Sequence, residues 1–308
     1  MKEIELIEKR GPREKHFLQP NGTIIAKLYD SDVHYLKNGK YEEIDNTLIE
    51  NNDYFTNKSN DYQVEFSKNI DNSLVTMKKA NNYLNIKLKD SNKLTLKRTN
   101  RVVINQENVV YNNIIPNIDI EYKVLPTKVK ETVVLYDNTQ LDMNFTVETN
   151  LILELSNGNI IAKNDNDIIF TIEKPYMVDS NNTRNDNIYY KIKYDNKKYE
   201  IELVLDKEWL NLSTTKYPVY IDPTITNNSQ NGNVYDTYIY PGDSGIDRNN
   251  QDILKAGVEK VNGIDRINRT LIKFDLPKIG TGSEIINASL SLIGYPTTTT
   301  PNFTHAVE

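Results

Sequence analysis

The sequence predicts an all-β protein: an antiparallel β-sandwich region followed by a partial jelly-roll-like β module. Three observations carry that reading. Short runs of alternating apolar and polar residues recur along the chain, bounded by turn residues such as Asn38-Gly39 and Asn157-Gly158. A 3.6-residue apolar period is nearly missing. Tyr is the dominant aromatic, 20 against 7 Phe and 1 Trp, which suits strands with one dry and one wet face.

Taken in order, residues 1–14 read as an N-terminal extension, a short helix or a loose segment stopped by Gly11-Pro12. Lys15–Leu18 and Thr23–Tyr29 flank Pro20-Asn21-Gly22 as a hairpin. Val33–Leu36 and Lys40–Ile44 flank Lys37-Asn38-Gly39 as a second. Tyr62, Val64 and Phe66 alternate with Gln63 and Glu65. Ile118, Ile120, Tyr122 and Val124 share a face, and Leu125–Lys128 turns the chain into Val129–Tyr136. Ile188–Tyr194 and Tyr199–Leu205 form the clearest pair, with lysines on one strand able to meet glutamates on the other. Asp206 heads the one convincing helical turn as N-cap, with Trp209 at a core edge. Tyr217–Ile225, punctuated by Pro218 and Pro223, closes the run of strands over 15–225. A polar linker, 226–233, leads to a module at 234–308 with strands expected at Val234–Tyr240, Ile253–Val258, Thr270–Phe274 and Ser289–Leu292. Four strands are too few to close a sandwich.

Composition removes several function classes. A net charge of −6 gives no electrostatic footprint for nucleic acid. The absence of cysteine excludes disulfides, thiolate catalysis and thiolate metal sites. No run approaches the roughly 18 apolar residues of a membrane span, and Met1–Arg10 carries no apolar leader core. His16, His34 and His305 lie far apart without ligand spacing, and His16 and His34 read as structural imidazoles on strands. No nucleophile elbow, phosphate loop or dinucleotide fingerprint occurs, and no carboxylate stands out from the solvated background. The expectation is therefore a non-enzymatic protein. The alternatives are a polysaccharide hydrolase with a carboxyl pair in a cleft, and a truncated remnant that needs a partner chain.

Two resemblances add to this. Lys15-His16-Phe17, Val33-His34-Tyr35 and Glu43–Leu48 resemble the N-terminal region of WapA-like, wall-associated RHS-repeat proteins of Gram-positive bacteria. So do Tyr111–Tyr122, Lys130-Glu131, Pro175-Tyr176-Met177, Lys207–Leu210 and Tyr217–Thr224, in order over residues 15–225. Asp236–Ile239, Leu254–Gly257, Arg269–Pro277 and Ile285–Leu292 resemble a DNRLRE domain, a carbohydrate-binding-module-like jelly roll, cut to about half its usual extent. The resemblances imply a scaffold or attachment portion at the cell surface or outside the cell, with a wall or surface glycan as partner.

Candidate ligand residues follow from chemistry. Asp236, Tyr238 and Tyr240 share one face of a strand, where rings can stack on a sugar and a carboxylate can meet its hydroxyls. Asp243, Asp247, Asn249 and Asp252 offer oxygen donors for calcium in a Gly-containing loop, though not at EF-hand spacing. The alternative for both groups is bland: core packing for the tyrosines and a solvated acidic loop for the carboxylates. Asp222-Pro223 is an acid-labile type of bond, placed where the last strand exits.

Overall fold

Turn residues and alternation decide the local elements, and they build almost entirely strands. The computed structural model describes residues 3–69, 73–89, 102–138, 143–165, 167–195, 198–227, 234–239, 257–261, 264–274 and 282–290. The chain forms two compact units, Met1–Asp275 and Leu276–Glu308. In the second, residues 282–290 carry a turn and no strand, so Ser289 and Leu290 depart from the expected strand there.

The first unit begins with β1 (Ile4–Glu5), a 3-10 turn (Ile7–Lys9), β2 (Glu14–Leu18) and β3 (Ile24–Leu28). These strands make a three-stranded sheet, so residues 4–5 pair with 17–18 instead of forming a helix or a loose lead. β4 (His34–Lys37) and β5 (Lys40–Glu43) are the second expected hairpin. Asn38 and Gly39 have φ of 52° and 77°, the left-handed values a tight hairpin turn requires.

The body is a pair of facing sheets. Its first strands are β6 (Asp45–Glu50), β7 (Tyr54–Ser59), β8 (Gln63–Ser67), β9 (Val75–Lys79) and β10 (Asn82–Leu88). Next come β11 (Val102–Asn105), β12 (Asn108–Ile115), β13 (Ile118–Val124), β14 (Lys128–Leu135) and β15 (Met143–Thr149). β16 (Ile152–Ser156), β17 (Asn159–Lys163), β18 (Ile168–Ile172), β19 (Met177–Asp179) and β20 (Arg184–Asn185) follow. The body closes with β21 (Tyr189–Asp195), β22 (Lys198–Val204), helix α1 (Lys207–Leu210), β23 (Val219–Ile221) and β24 (Thr224–Asn227). One sheet runs β21-β22-β15-β10-β9-β8-β7-β6. The other runs β11-β12-β13-β14-β24-β18-β17-β16, with β19, β20 and β23 attached beside it.

One core lies between the two sheets, fed by residues from both, among them Val64, Phe66, Leu84, Ile120, Tyr122, Phe170 and Ile225. Side chains alternate as the pleat demands: Ile118, Ile120, Tyr122 and Val124 are all within 1% of full burial. On the outer face of the β21–β6 sheet, Lys191 pairs with Glu202 at 3.2 Å, and Lys87 and Lys198 share Glu148 at 3.2 and 2.6 Å. Such exposed pairs bring solubility and register more than stability. At α1 the Asp206 carboxylate accepts from the Trp209 amide at 2.9 Å, and Trp209 packs against the core.

Two tyrosines tie the sheets across this core in opposite directions. Tyr62, entering β8, sends its hydroxyl to the β13–β14 turn, 2.5 Å from the Leu125 carbonyl and 3.1 Å from that of Lys128. Tyr111 on β12 returns the gesture, its hydroxyl 2.8 Å from the Ser67 carbonyl and 2.9 Å from that of Leu74. Their rings and those of Phe66 and Tyr122 fill the space between: Phe66–Tyr122 centroids are 5.2 Å apart and Tyr111–Tyr122 meet edge-on at 6.1 Å.

Past the body, β25 (Val234–Ile239), β26 (Gly257–Val261) and β27 (Ile264–Phe274) form a three-stranded sheet in the order β25-β27-β26. The middle strand starts six residues before its expected position at Thr270, because Ile264–Asn268 continue it to pair with β26.

Replacing Tyr111 by Phe is expected to cost about 1 kcal/mol, since the Ser67 and Leu74 carbonyls each lose one hydrogen bond while the ring's packing stays. Urea unfolding measures this. A Tyr111→Phe midpoint equal to wild type would mean the hydroxyl ties contribute nothing.

Candidate functional site

The alternation of β14 puts a carboxylic acid inside the protein. Val129, Glu131 and Val133 share the inward face of Lys128–Leu135, and Glu131 is only 5% exposed. Desolvation pushes its pKa up to about 7; the negative charge of Asp222 adds to the rise, and the Tyr122 phenol pulls against it. The Tyr122 hydroxyl, itself fully buried, has no hydrogen bond of regular geometry. Glu131 lines a cavity of about 30 Å³ together with Phe145, Tyr190, Ile201, Pro223 and Ile225. That is room for a water or two and far too little for a sugar ring.

Beside it, where β23 ends, Asp222 is held from several directions. Lys130 Nζ stands 2.7 Å from Oδ2, and the Tyr176 hydroxyl donates to the same oxygen at 2.7 Å. Thr224 Oγ1 donates to Oδ1 at 2.9 Å, and the Asp222 amide donates to the Tyr176 carbonyl at 3.1 Å. The Arg184 guanidinium lies over the Tyr176 ring, 4.0 Å from its centroid, and pairs with Asp186. Lys130 and Glu131 project to opposite sides of β14, so neighbouring residues serve the outer clamp and the inner cavity. Three segments that the sequence presents separately, Lys130-Glu131, Pro175-Tyr176 and Asp222-Pro223-Thr224, meet at one joint.

Glu131 corrects the reading that no carboxylate stands apart from the solvated background. The signal was available in the pattern Val129, Glu131, Val133, a carboxylate at an apolar position of a period-two strand. Asp236 and Tyr238 lie on β25, paired with Ile272 and Thr270 of β27. Tyr240, Asp243, Asp247, Asn249 and Asp252 lie outside the described residues. Among the described residues no group of three or more His, Asp or Glu side chains is arranged to hold a metal ion.

The two described histidines sit in the first module. His34 is fully buried, its Nδ1 donating to the Gly11 carbonyl at 2.7 Å and its Nε2 3.9 Å from Glu5; burial holds its pKa below the usual histidine range. His16 lies 3.7 Å from Glu14. His305 is outside the described residues.

Fold and joint together define an all-β sandwich protein with an ionisable core. Comparison with known proteins places that sandwich near the WapA proteins. The chain is 28% identical over 244 residues to the tRNA3(Ser)-specific nuclease WapA of Bacillus spizizenii, covering 72% of this chain and 10% of that protein. It is 27% identical over 243 residues to the tRNA nuclease WapA of Bacillus subtilis, with the same coverage of 72% and 10%. It is 26% identical over 209 residues to a wall-associated protein of Geobacillus stearothermophilus, covering 59% of this chain and 77% of that protein. The chain is thus WapA-like, and it spans about a tenth of the length of the nuclease relatives it matches. No family model and no solved structure matches it.

The relatives' names overturn one expectation. Missing catalytic motifs argued for a non-enzymatic protein, yet relatives are named as tRNA nucleases. The physical reason is coverage: motif silence in a stretch equal to a tenth of a protein says nothing of the chemistry in the remainder. The expectation of no nucleic-acid partner, which rests on net charge alone, is subject to the same limit.

Glu131 makes stability depend on pH. Its folded pKa of about 7 exceeds the unfolded value of 4.5, so its stabilising contribution is complete below 4.5 and is lost as pH rises through 7. Glu131→Gln should therefore gain on wild type between about pH 5 and pH 8, by up to about 3 kcal/mol. Urea titrations at both pH values check this; a constant difference between the two proteins would refute the buried-acid assignment.

Proposed function

We propose that this chain is a surface-associated β-sandwich portion of a WapA-like system, acting as the part that attaches to the cell wall. The match to a wall-associated protein, of which it covers 77%, carries this reading. Two structural features support it. The sandwich has a single core tied across by Tyr62 and Tyr111. Its outer sheet face is a lattice of cross-strand Lys–Glu pairs. No helix among the described residues is long and apolar enough to cross a membrane.

The activity on tRNA named for the relatives is proposed for the system that such a sandwich serves. A glycan is the proposed wall ligand, met by the β25 face that bears Asp236 and Tyr238. The module containing β25 is proposed to be DNRLRE-like.

The test is co-sedimentation of the purified chain with Gram-positive cell walls. Saturable binding that falls at least severalfold in Tyr238→Ala is expected. A chain that stays in the supernatant at every wall concentration would defeat the attachment reading. Binding unchanged in Tyr238→Ala would remove the β25 face alone. Incubating the same protein with a tRNA pool reports separately whether cleavage resides in this stretch.

A further inference from the structure

The Asp222-Pro223 bond is chemically weak for a general reason. The aspartate carboxylate can close a five-membered ring onto its own main-chain carbonyl, and the proline nitrogen is a basic leaving group once it is protonated. A fold that speeds this reaction has to hold the carboxylate, bring a proton donor near the proline nitrogen and admit one water. At the joint the carboxylate is held, and Glu131 and Pro223 line one cavity with room for a water.

Register supplies the donor. β14 pairs with β23 as Val133↔Ile221 and with β24 as Lys130↔Thr224. Carried through the two intervening residues, the same antiparallel register sets Thr132 opposite Asp222 and Glu131 opposite Pro223. Side chains directly opposite share a face with Cβ atoms about 4.5–5.5 Å apart. Consistently, Glu131 and Pro223 line the same cavity, which has about 30 Å³ for a water. Lys130, Tyr176 and Thr224 grip the Asp222 carboxylate from the other side.

We propose that the folded chain cuts itself at the Asp222–Pro223 bond. A carboxylate oxygen of Asp222 adds to the Asp222 carbonyl carbon. The C–N bond to Pro223 breaks, and the departing nitrogen takes the proton of Glu131. This leaves an internal anhydride at the end of residues 1–222 and a free proline amine at the start of 223–308. Water from the cavity opens the anhydride and returns one proton to Glu131, so the net reaction consumes one water and nothing else. Lys130 and Tyr176 are positioning residues: they fix the orientation of the carboxylate relative to its carbonyl.

The groups that face Glu131 are Tyr122 from β13, Tyr190 from β21 and Asp222 itself. Burial and the Asp222 charge keep Glu131 protonated up to about pH 7. Cutting should therefore slow as pH rises past that point. After the cut, β24 still pairs with β14 and β18, so the pieces stay together until β24 is pulled out. A covalent junction becomes a releasable one. This inference does not depend on wall attachment.

The experiment follows the intact purified chain by denaturing gel and intact mass during incubation from about pH 5 to pH 9. The expected result is a pair of fragments, 1–222 and 223–308, formed at least about tenfold faster by the folded chain than by the chain in guanidinium at equal pH. Asp222→Asn should stay whole. Glu131→Gln, which keeps the Asp222 clamp and the fold, should cut at least about tenfold more slowly and lose the decline above pH 7. Its thermal melt confirms folding independently if Asp222→Asn unfolds. A wild-type chain that remains whole, equal rates folded and unfolded, or Glu131→Gln cutting like wild type overturns the proposal.

Discussion

The structure depends on how its aromatic residues cross between two sheets. A sandwich core must bury rings from both sides, and tyrosine brings a hydroxyl that has to find a partner there. Tyr62 and Tyr111 solve this reciprocally, each reaching backbone carbonyls of the opposite sheet. The contacts fix the separation and alignment of the sheets, because a one-residue slip of either strand would turn the ring outward. Tyr190 follows the same rule, its hydroxyl donating to the Glu173 carbonyl at 3.2 Å. Asn227, at the end of β24, adds a polar tie through Asp61 and Lys79 of the other sheet.

Against those ties, Glu131 and the unpaired Tyr122 hydroxyl beside it stand out. An apolar residue in place of Glu131 would cost no desolvation, and Val129 and Val133 on either side show that the strand accommodates one. Burying an acid without an ion pair is expensive, and the cavity next to it forgoes further contacts. A sequence that keeps both at the point where a strand passes through Asp-Pro concentrates ionisable chemistry at its joint. The outer side of the joint is ordered conventionally, with Lys130, Tyr176 and Thr224 all directed at Asp222.

The relationship to WapA proteins changes how the missing motifs are weighed. The stretch covers a tenth of the nuclease relatives and 77% of a wall-associated one. It is silent on where a tRNA-cleaving centre would sit. The sequence alone led toward a non-enzymatic protein because the search for catalytic spacing treated the stretch as if it represented the whole.

Strand alternation, Asn-Gly turns, the Asp206 cap and the tyrosine-rich inner faces were legible from residues alone, because each is a local relation over a few positions. That Lys191 would meet Glu202 was legible too, since hairpin register follows from one turn. The joint was not. Lys130, Glu131, Tyr176 and Asp222 come together only because β14 lies beside both β23 and β24, and β19 beside β23. A period-two pattern says which face a side chain takes and nothing about which distant strand becomes its neighbour. The alternation of β14 could announce an acid facing inward. Only the assembled sheet could set that acid opposite Pro223 and give it a cavity.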